Sequence, residues 1–255
     1  MRSARRGVAT ILVFSISLTI AAAQQFKLSD FGVELSFTAD ADIFPMTWLT
    51  PEVNGKAVSL DTSEMERSER IIVKALNKYP VELIRKNLLK IYVVRRLEFY
   101  GQSYGGTNSA EVLYLSNDGL ANGYSDFWIE QAFHSEFSSI LFRNFYFLFS
   151  EKRWKALNDG ITYGPSGLDA LKQSKASKVF DADLARRGVL SQYGTASVEE
   201  DFNLFAENLF FSSPGFWTLV KDEKRIRKKT DEVIRMYNRI DPMFTESYFR
   251  EISRQ

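Results

Sequence analysis

The chain has no cysteine and a single histidine, His134, in 255 residues. The first absence excludes disulfides, thiolate metal centres, cysteine nucleophiles and a lipid anchor carried on a cysteine. The second leaves any site that needs two imidazoles short of a donor. Neither sign of charge dominates, since 33 Lys and Arg stand against 32 Asp and Glu. A near-neutral chain has no general field to gather nucleic acid, and none is expected as a partner. The one cationic run, residues 221–229 (KDEKRIRKK), contains Asp222 and Glu223 and reads as a solvated helix face. Proline is scarce, at six, and no repeat, low-complexity segment or linker interrupts the sequence. What is abundant is apolar and aromatic surface: 45% hydrophobic residues with 21 Phe and 11 Tyr, enough for a sizeable core in one domain.

The amino terminus has its own pattern. Arg2, Arg5 and Arg6 precede an apolar stretch over residues 8–20, and Ala21-Ala22-Ala23 follows. A basic start, a short apolar run and a small-residue site are the features of a secretory signal peptide. The run is shorter than the roughly 18 residues of a spanning helix. Residues 1–23 are therefore expected to be cleaved, leaving a secreted or periplasmic domain over 24–255 that needs no membrane. Cleavage removes three arginines and no acid, so 30 basic residues remain against 32 acidic, for a mature charge of about −2.

Residues 26–60 alternate in short pieces (Phe31, Val33, Leu35, Phe37) broken by Pro45, Pro51 and Asn54-Gly55, which predicts strands and turns. Ser63 and Glu66 have capping-box spacing, and Ile71, Ile72, Ala75 and Leu76 continue at helical spacing up to Tyr79-Pro80. A helical turn over 81–87 leads to the apolar, β-branched run 88–94, read as a buried strand. A glycine-rich turn over 100–107 separates it from a second strand, 110–115, taken as the edge of the sheet. A phosphate cradle in those glycines lacks both the P-loop lysine and the dinucleotide spacing. From Ser125 to about residue 148, Phe127, Trp128, Phe133, Phe137, Ile140, Leu141 and Phe145 fill more than one face, so this helix should be central and buried. Residues 150–187 form a polar connection with short helices. Ser197 and Glu200 make a second capping box, opening a helix to residue 212, and a basic helix spans about 221–239 after Pro214-Gly215.

Two stretches bear on chemistry: Phe133-His134-Ser135-Glu136-Phe137-Ser138-Ser139-Ile140-Leu141 and Tyr193-Gly194-Thr195-Ala196-Ser197-Val198-Glu199-Glu200-Asp201-Phe202-Asn203-Leu204-Phe205-Ala206-Glu207. With the preceding strands and glycine turn they resemble, over roughly residues 64–211, the zinc-binding metallopeptidases of bacterial exported proteins, a gluzincin type of zincin. The resemblance implies an edge strand, a helix carrying His-Glu-x-x-His, and a later helix supplying a glutamate ligand. It places Glu136 at the catalytic position, Glu200 at the third ligand, Asp201 and Glu207 behind the ligands and Tyr193 beside the site. The two histidine positions are then Ser135 and Ser139, poor zinc donors. If His134 is the first ligand instead, Ser135 and Ser138 take the other positions, and that register fails too. His134 lies about 100° around the helix from position 135, so it cannot simply replace a ligand there.

The same residues have structural readings. His134 among phenylalanines suits a buried, hydrogen-bonded histidine, and Glu200 suits the capping partner of Ser197. Glu136 in mid-helix would need a partner or a raised pKa if buried. A Ser138/His134 contact is geometrically open but has no Gly-x-Ser-x-Gly elbow, and a two-carboxylate glycosidase remains open. Asp40, Asp42 and Asn117-Asp118-Gly119 are too short for a calcium loop.

The expectation is an α+β, zincin-like fold: a small mixed sheet of about four strands, a buried central helix and a mainly helical second half. Its function is expected to be that of an exported metallopeptidase-like protein with a degenerate zinc site, binding a peptide or protein in a cleft beneath the edge strand, or hydrolysing it weakly. Zinc is more expected to be absent or weakly bound than firmly held. The alternative is a non-catalytic interaction or scaffold domain. The first reading requires Glu136 and Glu200 to converge on an open cleft, and the second requires them to be apart or separately satisfied.

Overall fold

In the computed structural model, which describes residues 26–211 and 213–252, strand chemistry and strand pairing agree closely. The expected signal peptide, residues 1–23, lies outside the described residues. The order of elements is β1 (Phe26–Leu28), β2 (Val33–Ser36), β3 (Lys56–Val58), α1 (Thr62–Leu76), α2 (Val81–Asn87), β4 (Lys90–Val94), β5 (Arg96–Phe99), β6 (Gln102–Tyr104), β7 (Gly106–Asn108), β8 (Val112–Ser116), α3 (Asp126–Asn144), α4 (Glu151–Ala156), α5 (Gly167–Lys172), α6 (Ala182–Arg186), α7 (Val198–Phe211), α8 (Phe216–Asp222), α9 (Lys224–Ile240) and α10 (Glu246–Ile252).

A five-stranded mixed sheet has the order β1-β2-β4-β8-β7, and a three-stranded sheet the order β3-β5-β6. β2, β4 and β8 run parallel, with β1 and β7 antiparallel at the edges. The period-2 alternation of β4 and β8 divides two cores between the faces of the main sheet. Ile91, Val93, Leu113 and Leu115 enter the large helical core. Tyr92, Val94 and Tyr114 enter a smaller cluster with Phe44, Leu97 and Phe99 beneath the second sheet. Tyr92 and Tyr114 are register partners and stack with ring centroids 5.4 Å apart.

α3 is the central element. Ser125 caps it by accepting from the Trp128 N–H. Phe133, Phe137 and Ile140 are fully buried among α1, α7 and the sheet, while Ser135, Glu136 and Ser139 form a polar line on another side. Spacings of three and four residues put Ser139 beside both Glu136 and Ser135 on that side. Among the described residues no helix is long and apolar enough to cross a membrane.

The structure corrects several expectations. The strand over 110–115 is not the edge of the sheet: β8 lies between β4 and β7, and part of the glycine turn forms the edge strand β7. The sheets hold five and three strands rather than about four. Ser63 is not a cap, because the α1 N-cap is Asp61, whose carbonyl accepts from the Glu64 N–H, and Glu66 pairs with Arg70 instead. The central helix ends at Asn144, and the basic C-terminal helix is preceded by α8 and followed by α10.

Candidate functional site

A cavity of about 640 Å³ opens between the edge strand β7, the polar face of α3, the start of α7 and the segment containing α5 and Lys178. Glu136, Glu200, Ser135, Ser139 and Tyr193 all line it. The two carboxylates that the sequence places 64 positions apart thus converge on one open cleft.

Glu136 accepts from Asn108 Nδ2 of β7 at 2.6 Å. Burial is the main force on this carboxyl, pushing its pKa up to about 7 against the hydrogen bond from Asn108, with the charge of Glu200 pushing the same way. Glu200 behaves alike. Burial raises it to about 7, while the Tyr193 hydroxyl, donating to it, and the charge of Lys178 pull it down. The Tyr193 phenol is pushed well above its ordinary value by burial and then by the Glu200 charge. Ser197 Oγ does cap α7, accepting from the Glu200 N–H at 3.1 Å, so Glu200 serves the helix with its backbone and the cavity with its side chain.

Each carboxylate lies against a glycine. A Cβ on Gly106 would meet the Glu136 side chain at 3.0 Å, and one on Gly167 would overlap the Glu200 carboxylate and come within 2.7 Å of the Tyr193 hydroxyl. These glycines are required for close approach of backbone to side chain rather than for a phosphate.

Ser135 and Ser139, expected from the sequence at the two histidine positions, have hydroxyls that are already engaged. Ser139 Oγ donates to Glu199 Oε1 at 2.7 Å and accepts from Asn203 Nδ2 at 2.7 Å. Ser135 Oγ faces Lys178 Nζ at 3.4 Å. Lys178 donates to Glu207 Oε2 at 2.7 Å, and Gln131 Nε2 donates to the other oxygen of that buried carboxylate at 2.8 Å. Burial disfavours the Lys178 ammonium, but Glu207, Glu200 and Glu136 more than offset this and hold it protonated. Zinc does not fit this donor set. Ser135 and Ser139 offer neutral hydroxyls, and the Lys178 ammonium lies 3.4 Å from the first of them. Among the described residues no three His, Asp or Glu side chains are grouped to hold a metal ion.

The remaining site expectations divide. Glu207 is buried behind the cavity wall and bears on it through its pair with Lys178. His134 does not reach the cavity, because its ring is wholly buried, stacks on Phe210 at 5.2 Å and shares a 2.9 Å hydrogen bond with the Tyr79 hydroxyl. Burial lowers its pKa to about 4, so it is a neutral core residue. No hydrogen bond joins it to Ser138. Asp201 also points elsewhere, into a sealed pair with Lys229 at 2.5 Å, because one step along α7 turns it about 100° from Glu200.

Sequence reasoning missed Asn108, Arg143, Lys178, Glu199 and Asn203. Glu199, Asn203 and Glu207 recur every four residues on α7, a polar stripe in an otherwise buried helix that could have been read as a site face. Lys178 sits in an irregular connection where periodicity gives no signal.

No family profile and no curated protein sequence matches this chain. Its structure is similar to the crystal structure of a Bacteroides caccae protein described as a candidate zinc-binding metallo-peptidase. The TM-score is 0.53 at 14% identity, with 78% of each chain covered. That similarity establishes a metallopeptidase-like mixed α and β fold.

Proposed function

We propose that this protein is an exported, metallopeptidase-like peptide-binding protein in which zinc hydrolysis has been replaced by recognition. The observation that carries this reading is the cavity itself: Glu136 and Glu200 converge beneath an open edge strand, while the flanking positions are serines engaged by Glu199, Asn203 and Lys178.

The edge supports the same reading. Gly105 O accepts from Ser116 N and Ser109 N donates to Val112 O, so alternate residues of the strand turn toward β8. By antiparallel alternation the backbone groups of Gly106 and Asn108 face outward. An extended peptide can pair with those groups and place a side chain in the cavity. Binding is tested by titrating a labelled pentapeptide, acetyl-Ala-Ala-Arg-Ala-Ala-amide, and its analogues N-methylated at alternate backbone nitrogens. Loss of binding in one alternating set is expected. Equal binding of both sets would reject strand pairing. Zinc content of the purified protein, measured by mass spectrometry, is expected to be far below one per chain, and stoichiometric zinc would reject the loss of the metal site.

A further inference from the structure

The charges around the cavity are not balanced pair by pair. Lys178 is paired with Glu207, and Arg143 with Glu199 at 3.2 Å. Among the described residues no cation lies within ion-pair distance of Glu136 or Glu200, whose partners are the neutral Asn108 and Tyr193. Two carboxylates in one cavity are thus left without a contacting counter-ion, and the Lys178 charge reaches them only at longer range.

A second feature, independent of the carboxylates, points to the same missing group. Asn203 lines the cavity and is only 3% exposed, and its Nδ2 is spent on Ser139. Its Oδ1 has no donor among the described residues. A buried amide oxygen without a donor is disfavoured by roughly 1–3 kcal/mol, and a ligand N–H would relieve it. The cavity therefore presents carboxylates that have no cationic partner and an amide oxygen that has no donor of its own. Its walls also include the aromatic rings of Tyr104 and Trp128, suited to an alkyl stem and to a cation near a ring face.

We propose that the cavity takes a basic side chain of a bound peptide, its guanidinium or ammonium seated between the carboxylates of Glu136 and Glu200. This deepens the peptide-binding reading and rests on it. Binding of a cation holds both carboxyls ionised, so burial, which raises their pKa in the free protein, is compensated by the ligand's charge. Glu207 and Glu199 stay with Lys178 and Arg143 and reduce, without abolishing, the repulsion those cations exert on the incoming one.

The test uses the full protein at pH 8 with three probes: acetyl-Ala-Ala-Arg-Ala-Ala-amide, the same peptide with neutral citrulline for arginine, and N-acetyl-arginine amide. The arginine peptide is expected to bind roughly tenfold or more tighter than the citrulline peptide, the size of a lost charge-assisted hydrogen bond. Glu136→Gln and Glu200→Gln should each shrink that ratio severalfold, whereas Glu98→Gln, on the second sheet, should leave it unchanged. Circular dichroism and thermal melts identify a variant that fails to fold, and the two peptides on the unmodified protein then still decide the matter. Equal affinity for the two peptides would overturn the basic side chain while leaving peptide binding intact. Binding of N-acetyl-arginine amide with no gain from the longer peptide would keep the cation site and overturn the peptide. No binding of any probe would overturn both.

Discussion

Helix α7 carries two lysine-carboxylate pairs that differ in one respect, access to water. Asp201 and Lys229 are both wholly buried, and Asp201 Oδ2 takes further donors from Trp154 at 2.9 Å and Tyr163 at 2.5 Å. Burial pushes the aspartate up and the lysine down against their mutual attraction, and the Lys229 ammonium lies 4.6 Å from the Trp154 ring centre. Glu207 and Lys178 make a similar contact, but the Lys178 side chain is 36% exposed on the cavity wall. The first pair has no room for a ligand and ties α9 to α7. The second borders open space, and its geometry can respond to what enters. The same chemistry on one helix therefore serves cohesion on one face and recognition on the other.

Breaking the sealed pair should have the largest effect. Lys229→Met leaves Asp201 buried with only neutral donors and is expected to lower stability by about 3–5 kcal/mol in urea denaturation, with peptide affinity unchanged while the protein remains folded. A smaller effect comes from the cavity carboxylates through pH. Glu136 and Glu200 have folded pKa values of about 7 against a reference of 4.5, so the folded state holds more protons than the unfolded one between those values. Their contribution is fully present below about pH 4.5 and is lost as pH rises to about 7. His134, lowered to about 4, acts in the opposite sense, losing stability as pH falls below its reference value of 6.5. The comparison of the protein with its Glu136→Gln/Glu200→Gln double variant separates the two. The double variant should gain roughly 1–3 kcal/mol on the unmodified protein between pH 5 and pH 8 in paired thermal melts.

Gly167→Ala sharpens the contrast locally. Its Cβ overlaps the Glu200 carboxylate, and the shift is expected to weaken the arginine peptide severalfold while costing about 1 kcal/mol of stability. Lys178→Met is expected to cost less stability than Lys229→Met, since Gln131 still donates to the buried Glu207 carboxylate and removing the half-exposed lysine opens that carboxylate to the cavity. Removing that positive charge should tighten the arginine peptide in the same titration. A loss of stability as large as that of Lys229→Met would erase the distinction between the pairs.

Much of this architecture was legible in the sequence. The apolar run 88–94 became β4, and the aromatic spacing of residues 127–145 marked a helix buried on several sides. Glu136 and Glu200 could be nominated only through the resemblance to a metallopeptidase family, and both line one cavity. The edge strand was harder to read. Gly106-Thr107-Asn108 has low strand propensity and reads as a turn, and only pairing with β8 makes it a strand. His134 misled because a lone histidine beside a candidate glutamate invites chemistry, whereas one residue of helical rotation sends it into the Tyr79 and Phe210 cluster. Lys178 was invisible because its partners lie 29 and 43 positions away, across a connection with no period.

Lys178 also changes how such a cleft relates to its surroundings. A metal centre borrows its positive charge from the medium and can be emptied by a chelator, poisoned by a competing ion or starved outside the cell. Here the charge is covalently tethered and arrives with translation. That positive charge is therefore present without any metal, and calcium, zinc or EDTA in the buffer should leave the melting temperature where it was.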